Sequence, residues 1–154
     1  MRHSIIKTLA AFALAITLSA CGDDAAEKKA AGMLRQARTQ FDNGQYDAAL
    51  GTIDSLRKQC PDAIEARKTA LRLYQEVELK RTQLKVETAD KALAVARDKY
   101  AEMKKAVDAI RGTGGLTKEK LSSLTRMKLK VDSLQAVFDG ECAKIRYIRK
   151  KMDE

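Results

Sequence analysis

Residues 79–110 read LKRTQLKVETADKALAVARDKYAEMKKAVDAI. Within them Leu79, Thr82, Val86, Ala89, Leu93, Ala96, Tyr100, Met103, Val107 and Ile110 follow one another at strictly alternating spacings of three and four. That rhythm lays every one of them on a single stripe of an α-helix, the seam of a coiled coil. At ~1.5 Å per residue the stripe is ~48 Å long. Gly112-Thr113-Gly114-Gly115 stops it. Thr117 is then placed to cap a following helix, with Glu119 favourable in its first turn. Leu124, Met127, Val131, Leu134, Phe138, Cys142, Ile145, Ile148 and Met152 give that helix the same three-or-four spacing. Folding the chain at Gly114 tests the two stripes against each other. Val107 then faces Leu121, Met103 faces Leu124, Ala96 faces Val131, Leu93 faces Leu134 and Ala89 faces Phe138, so that large residues meet small ones. Val86 faces Cys142, Thr82 faces Ile145 and Leu79 faces Ile148. The apolar positions agree along the whole length, which predicts an antiparallel helical hairpin over 63–153. Gly140 is its weak point, since glycine inside a helix costs ~1 kcal/mol against alanine, and a kink belongs there.

Upstream, the spacing predicts a helix over 25–42, with Asp24 as N-cap and Glu27 at the third helical position. It ends at Asn43-Gly44. A second helix spans Tyr46 to about Gln59 and breaks at Cys60-Pro61-Asp62, because Pro61 disfavours helical backbone at Cys60. Asp62 then caps a third helix, with Glu65 behind it. Phe41, Gly44, Tyr46, Ala49, Ile53, Leu56 and Pro61 form the pattern F-x-x-G-x-Y-x-x-A-x-x-x-I-x-x-L-x-x-x-x-P, which resembles the tetratricopeptide repeat (TPR) over residues 33–61, one repeat. The resemblance implies that Gly44 relieves the turn, that Ala49 lets two helices approach, and that Pro61 ends the second. A further repeat begins with Ala63, Ala66, Ala70, Leu73 and Val77, placed to pack on the first two helices. It does not finish: Glu78-Leu79-Lys80-Arg81 stays helical where a turn is due. Such arrays need about three units, so the hairpin must supply the remaining core. The expected fold is all-α, a TPR-like helical pair packed on the base of a long antiparallel helical hairpin, with 25–61 as the pair and 62–154 as the hairpin, turning at 112–116.

The chain has 154 residues and a net charge of +9, with a third of the residues charged, one Pro and 5% aromatic residues. Those values exclude collagen-like, Pro-rich and aromatic-rich β-sandwich proteins. Arg2 and Lys7 precede the uncharged run Thr8–Leu18, which is too short to span a bilayer and fits a secretory leader. Leu18-Ser19-Ala20-Cys21 follows it, and resembles the lipobox of bacterial lipoproteins. The resemblance implies removal of 1–20, a diacylglycerol on the Cys21 thiol, and a tether of only residues 21–24 before the folded part. In that family Asp directly after the Cys can retain the protein in the inner membrane; Gly22 stands there instead, which favours the outer membrane. Asp23-Asp24 also resembles acidic signals for surface display. The expected location is the bacterial cell envelope, lipid-anchored, on the periplasmic or surface face.

Maturation also removes His3, the only histidine. The usual general base and the commonest metal ligand are then missing, and neither Cys60 nor Cys142 has a histidine to activate it. No C-x-x-C, P-loop or other catalytic motif is present. The reading is a non-enzyme without metal, cofactor or small-molecule substrate. In a straight hairpin Cys60 and Cys142 lie ~39 Å apart along the axis, far beyond the ~7 Å a disulfide allows. Cys142 is read as a small core residue, and Cys60 as turn packing or, less favoured, an intermolecular link.

TPR-like helix pairs resemble peptide-docking modules, which makes the face near Phe41, Tyr46 and Tyr74 the candidate contact for a partner. The last helix is basic, and Lys144, Arg146, Arg149, Lys150 and Lys151 at its end are candidates for contact with anionic headgroups. Export argues against nucleic acid. The expected function is a membrane-anchored, non-enzymatic adaptor or scaffold that binds another envelope protein; the alternative is a chaperone-like or spacer coiled-coil protein of the periplasm. A hairpin can also pair with a second hairpin, which leaves a homo-oligomer open.

Overall fold

The computed structural model describes the backbone from Ala20 and the side chains from Ala25, both through Glu154. The leader expected before Ala20, and the Cys21 thiol, lie outside the described residues. The described residues form four helices and no strand: α1 (Ala20–Asp42), α2 (Tyr46–Gln59), α3 (Ile64–Ile110) and α4 (Lys118–Asp153). The chain is all-α. It divides into two compact units, the boundary falling between Val77 and Glu78.

In the first unit α1 and α2 pack together, and the opening turns of α3 join them around one core. Ala30 and Ala37 come from α1, Ala49, Ile53 and Leu56 from α2, and Ala66, Ala70, Leu73 and Val77 from α3. Alanines at these positions let the helices approach closely, while Ile53 and Leu56 are the largest fully buried side chains of this core, at about 1.5–3 kcal/mol each for full burial. The turn after α1 is set by Gly44, whose φ of 74° only glycine adopts freely. Gly44 N–H donates to the Phe41 carbonyl at 2.9 Å and Gln45 N–H to the Gln40 carbonyl at 2.8 Å, the bond pair of a Schellman motif.

Two boundaries differ from expectation. α1 is already helical at Ala20, the first described residue, so 21–24 is helical backbone and Asp24 lies inside the helix rather than at its cap. No proline interrupts the segment, and its alanines favour continuing the helix. α3 begins at Ile64, with Arg67 N–H donating to the Ala63 carbonyl at 3.0 Å. Ala63, not Asp62, therefore stands at the N-cap position.

The second unit holds the rest of α3, the turn, and α4. Gly114, at φ 75°, reverses the chain. Thr117 caps α4, its hydroxyl accepting from Lys120 N–H at 3.4 Å. The two helices form the hairpin: Arg97 on α3 hydrogen-bonds Gln135 on α4. The seam is buried on the α3 side at Thr82, Ala89, Leu93, Ala96 and Val107. No residue of α4 is fully buried; its stripe is half-buried from Leu124 to Ile148. α4 runs without a break through Gly140.

Candidate functional site

Taking Leu79 as a heptad a position, the α3 seam runs a, d, a, d to Ile110. The same count on α4 from Leu124 puts Glu141, not Cys142, on the seam after Phe138. The Glu141 side chain is only 14% exposed. Its Oε1 accepts from Lys144 at 2.6 Å, while Oε2 is buried with no hydrogen-bond partner among the described residues. A pattern of hydrophobic residues alone selects Cys142; strict heptad counting finds the carboxylate.

The hairpin has two unlike flanks. On the side of the e positions, one polar bond crosses the seam and others line it within each helix. Arg97 binds Gln135, and Gln135 Nε2 donates to Asp139 at 2.9 Å. Lys104 pairs with Asp108 and Lys128 with Asp132, each at 2.7 Å. The side of the g positions is open. One groove there is floored by Leu84, Ala89, Ala92, Leu134 and Val137 and bordered by Arg81, Lys85 and Glu141. A second, nearer the turn, lies among Met103, Ala106, Val107 and Ile110, with Glu119, Lys120 and Ser123. Small residues at g on α3, Ala92 and Ala106, leave the seam uncovered where a longer side chain would close it.

Charge is distributed as unevenly as shape. Of the residues after Cys21, those up to Val77 hold nine basic and nine acidic side chains. Glu78–Glu154 holds 19 basic and 12 acidic ones, so the whole +7 of this stretch sits on the hairpin unit. The carboxylates that are shifted are held below their usual range by near neighbours. A hydrogen bond from Lys91 does this for Glu87, one from Lys104 for Asp108, and the backbone N–H of Glu119 together with Thr117 for Glu119.

Phe41, Tyr46 and Tyr74 are all half-buried against the first unit's core. The Phe41 and Tyr46 rings meet at 5.9 Å between centres and 56° between planes. Arg38 stands 5.7 Å from the centre of the Phe41 ring and pairs with Glu76 at 2.5 Å, which raises its pKa. The aromatics are thus mainly packing residues with one face outward. At the end of α4, Lys144 and Lys151 pair with Glu141 and Glu154. Arg146, Arg149 and Lys150 are exposed and carry no ion pair among the described residues.

Cys60 is 1% exposed within the core and Cys142 half-buried, both as free thiols. Burial of Cys60 contradicts its reading as an intermolecular link. Among the described residues no group of acidic, cysteine or histidine side chains could hold a metal ion, and no helix is long and apolar enough to cross a membrane. Compared with known proteins, the chain matches no family model, no curated protein and no solved structure.

Proposed function

We propose that this chain is a lipid-anchored, non-enzymatic adaptor of the bacterial envelope, held by an acyl group on Cys21 and binding a second envelope protein. The observation that carries the binding role is the half-exposed seam of the hairpin: α4 buries no residue completely. A two-helix unit with one flank open presents apolar surface to a partner in the way grooved helical modules do. The leader with Leu18-Ser19-Ala20-Cys21 supports the anchor, and the loss of His3 with the leader supports a role without catalysis. Arg146, Arg149 and Lys150 would add attraction to anionic headgroups, about 1 kcal/mol each near such a surface.

The test is in-cell crosslinking followed by gentle-detergent purification from the native envelope, with Cys21→Ser as control. One dominant protein, recovered in fixed ratio and lost with Cys21→Ser, is the expected result. A broad set of unrelated clients would replace the adaptor with a chaperone-like role. Self-crosslinks alone would replace it with a spacer.

A further inference from the structure

The open flank of the hairpin combines an apolar floor with a basic setting, and that combination selects among occupants. The floor is supplied by Leu84, Ala92 and Val137 in one groove and by Ala106 and Val107 in the other. Both grooves lie on the flank of the g positions, where a third helix packs against two in a bundle. Lys85 borders the first groove, and Lys99 and Lys130 occupy further g positions. None of these three lysines forms an ion pair among the described residues. The unit as a whole carries +7. A second copy seated here would set another unit of +7 against the first, with the facing charges inside the screening length of ~8 Å. An acidic helix would instead meet unpaired lysines with opposite charge, which favours both its approach and its orientation.

We propose that this flank of the hairpin docks an amphipathic helix of another protein, with small or branched apolar residues on its inner stripe and Glu or Asp beside them. Glu141 adds a specific requirement. Glu141 borders the first groove, and its Oε2 is buried without a partner among the described residues, so a donor on the docked helix, such as Ser, Thr or Gln, bonds it once the carboxylate turns outward. The proposal rests on the adaptor reading and names the chemistry of its partner.

The experiment uses the whole mature chain with Cys21→Ser. A synthetic helical peptide with Leu and Ala at a and d and Glu at e and g is titrated by fluorescence anisotropy, beside the same peptide with Lys in place of Glu. Only the Glu peptide should bind, and more weakly as salt rises. Val137→Glu, at a groove residue already 53% exposed, should weaken binding roughly tenfold. Val95→Glu, 69% exposed and outside both grooves, should leave it unchanged. Circular dichroism checks that each variant stays folded. Equal binding of both peptides, or equal effects of the two variants, would overturn the proposal. So would a dimer in sedimentation that Val137→Glu dissolves, which would assign the groove to a second copy. Binding to phosphatidylglycerol vesicles that is lost in Val137→Glu would assign it to lipid. Because the chain used here has no acyl group, these outcomes are independent of anchoring. A partner captured in cells whose crosslinks map around Tyr46 would keep the adaptor and remove the groove.

Discussion

Gly140 stands in the middle of α4 with no atom within 4 Å of where a Cβ would be. Nothing in its surroundings needs a glycine, so Gly140→Ala should raise stability by about 0.5–1 kcal/mol in urea unfolding. Gly114 is the opposite case. Its φ of 75° strains any side chain, and Gly114→Ala should lower stability in the same assay, by about 1 kcal/mol. The two thiols differ through burial. Cys60 should react with a thiol reagent only as fast as the first unit opens, and Cys142 should react well before it. Equal rates in Cys21→Ser protein would show that the first core does not close over Cys60. Individual residues were unequally legible in the sequence. Gly44, Pro61 and Thr117 announce turns and caps through chemistry that is local to them. Glu141 was hidden because a charged residue is not sought on an apolar seam, and only its position in the heptad reveals it.

The helices themselves were the most legible level, because hydrophobic periodicity determines them directly. α2 and the meeting of α3 with α4 follow from spacing alone. The start of α1 does not, since nothing in Cys21-Gly22-Asp23-Asp24 separates a helical turn from a short extended one by pattern. The two sides of the hairpin predict different mutational costs. Leu93 is 1% exposed, and Leu93→Ala should cost about 2–5 kcal/mol, whereas Leu129→Ala, at 59% exposure, should cost under about 0.5 kcal/mol. Denaturant midpoints with unchanged slopes would measure both. Exposed carboxylates held by near neighbours give the hairpin a pH dependence. Glu87, Asp108 and Glu119 ionise at lower pH when folded than when unfolded. Their contribution is present above the unfolded carboxylate pKa of about 4 and disappears as pH falls through the lower folded values. Helicity followed by circular dichroism in moderate urea should therefore drop on acidification through that range. Glu87→Gln with Asp108→Asn should flatten the drop.

For the molecule as a whole, the sequence disclosed an all-α chain but not which flank of the hairpin stays open. That asymmetry depends on small residues at g and on the Arg97–Gln135 bond across e, which become visible only when both helices are placed together. The boundary between the two units falls between Val77 and Glu78, in the interior of α3, where packing of Ala63–Val77 on the first two helices gives way to the stripe from Leu79. Most modular proteins join their parts by a loop that a protease finds first. Here Lys80 and Arg81, beside the boundary, are helical, while Arg111 and Lys118 flank the turn. Limited trypsin should cut first at the turn, leaving a fragment that retains both the first unit and the α3 half of the hairpin. A first cut at Lys80 or Arg81 would mean that the helix opens there. The absence of a seam in the chain itself also sets the terms on which the gene can vary. A join at the edge of either unit falls inside a helix, so exchanging one unit for another must keep the register of α3 across the join.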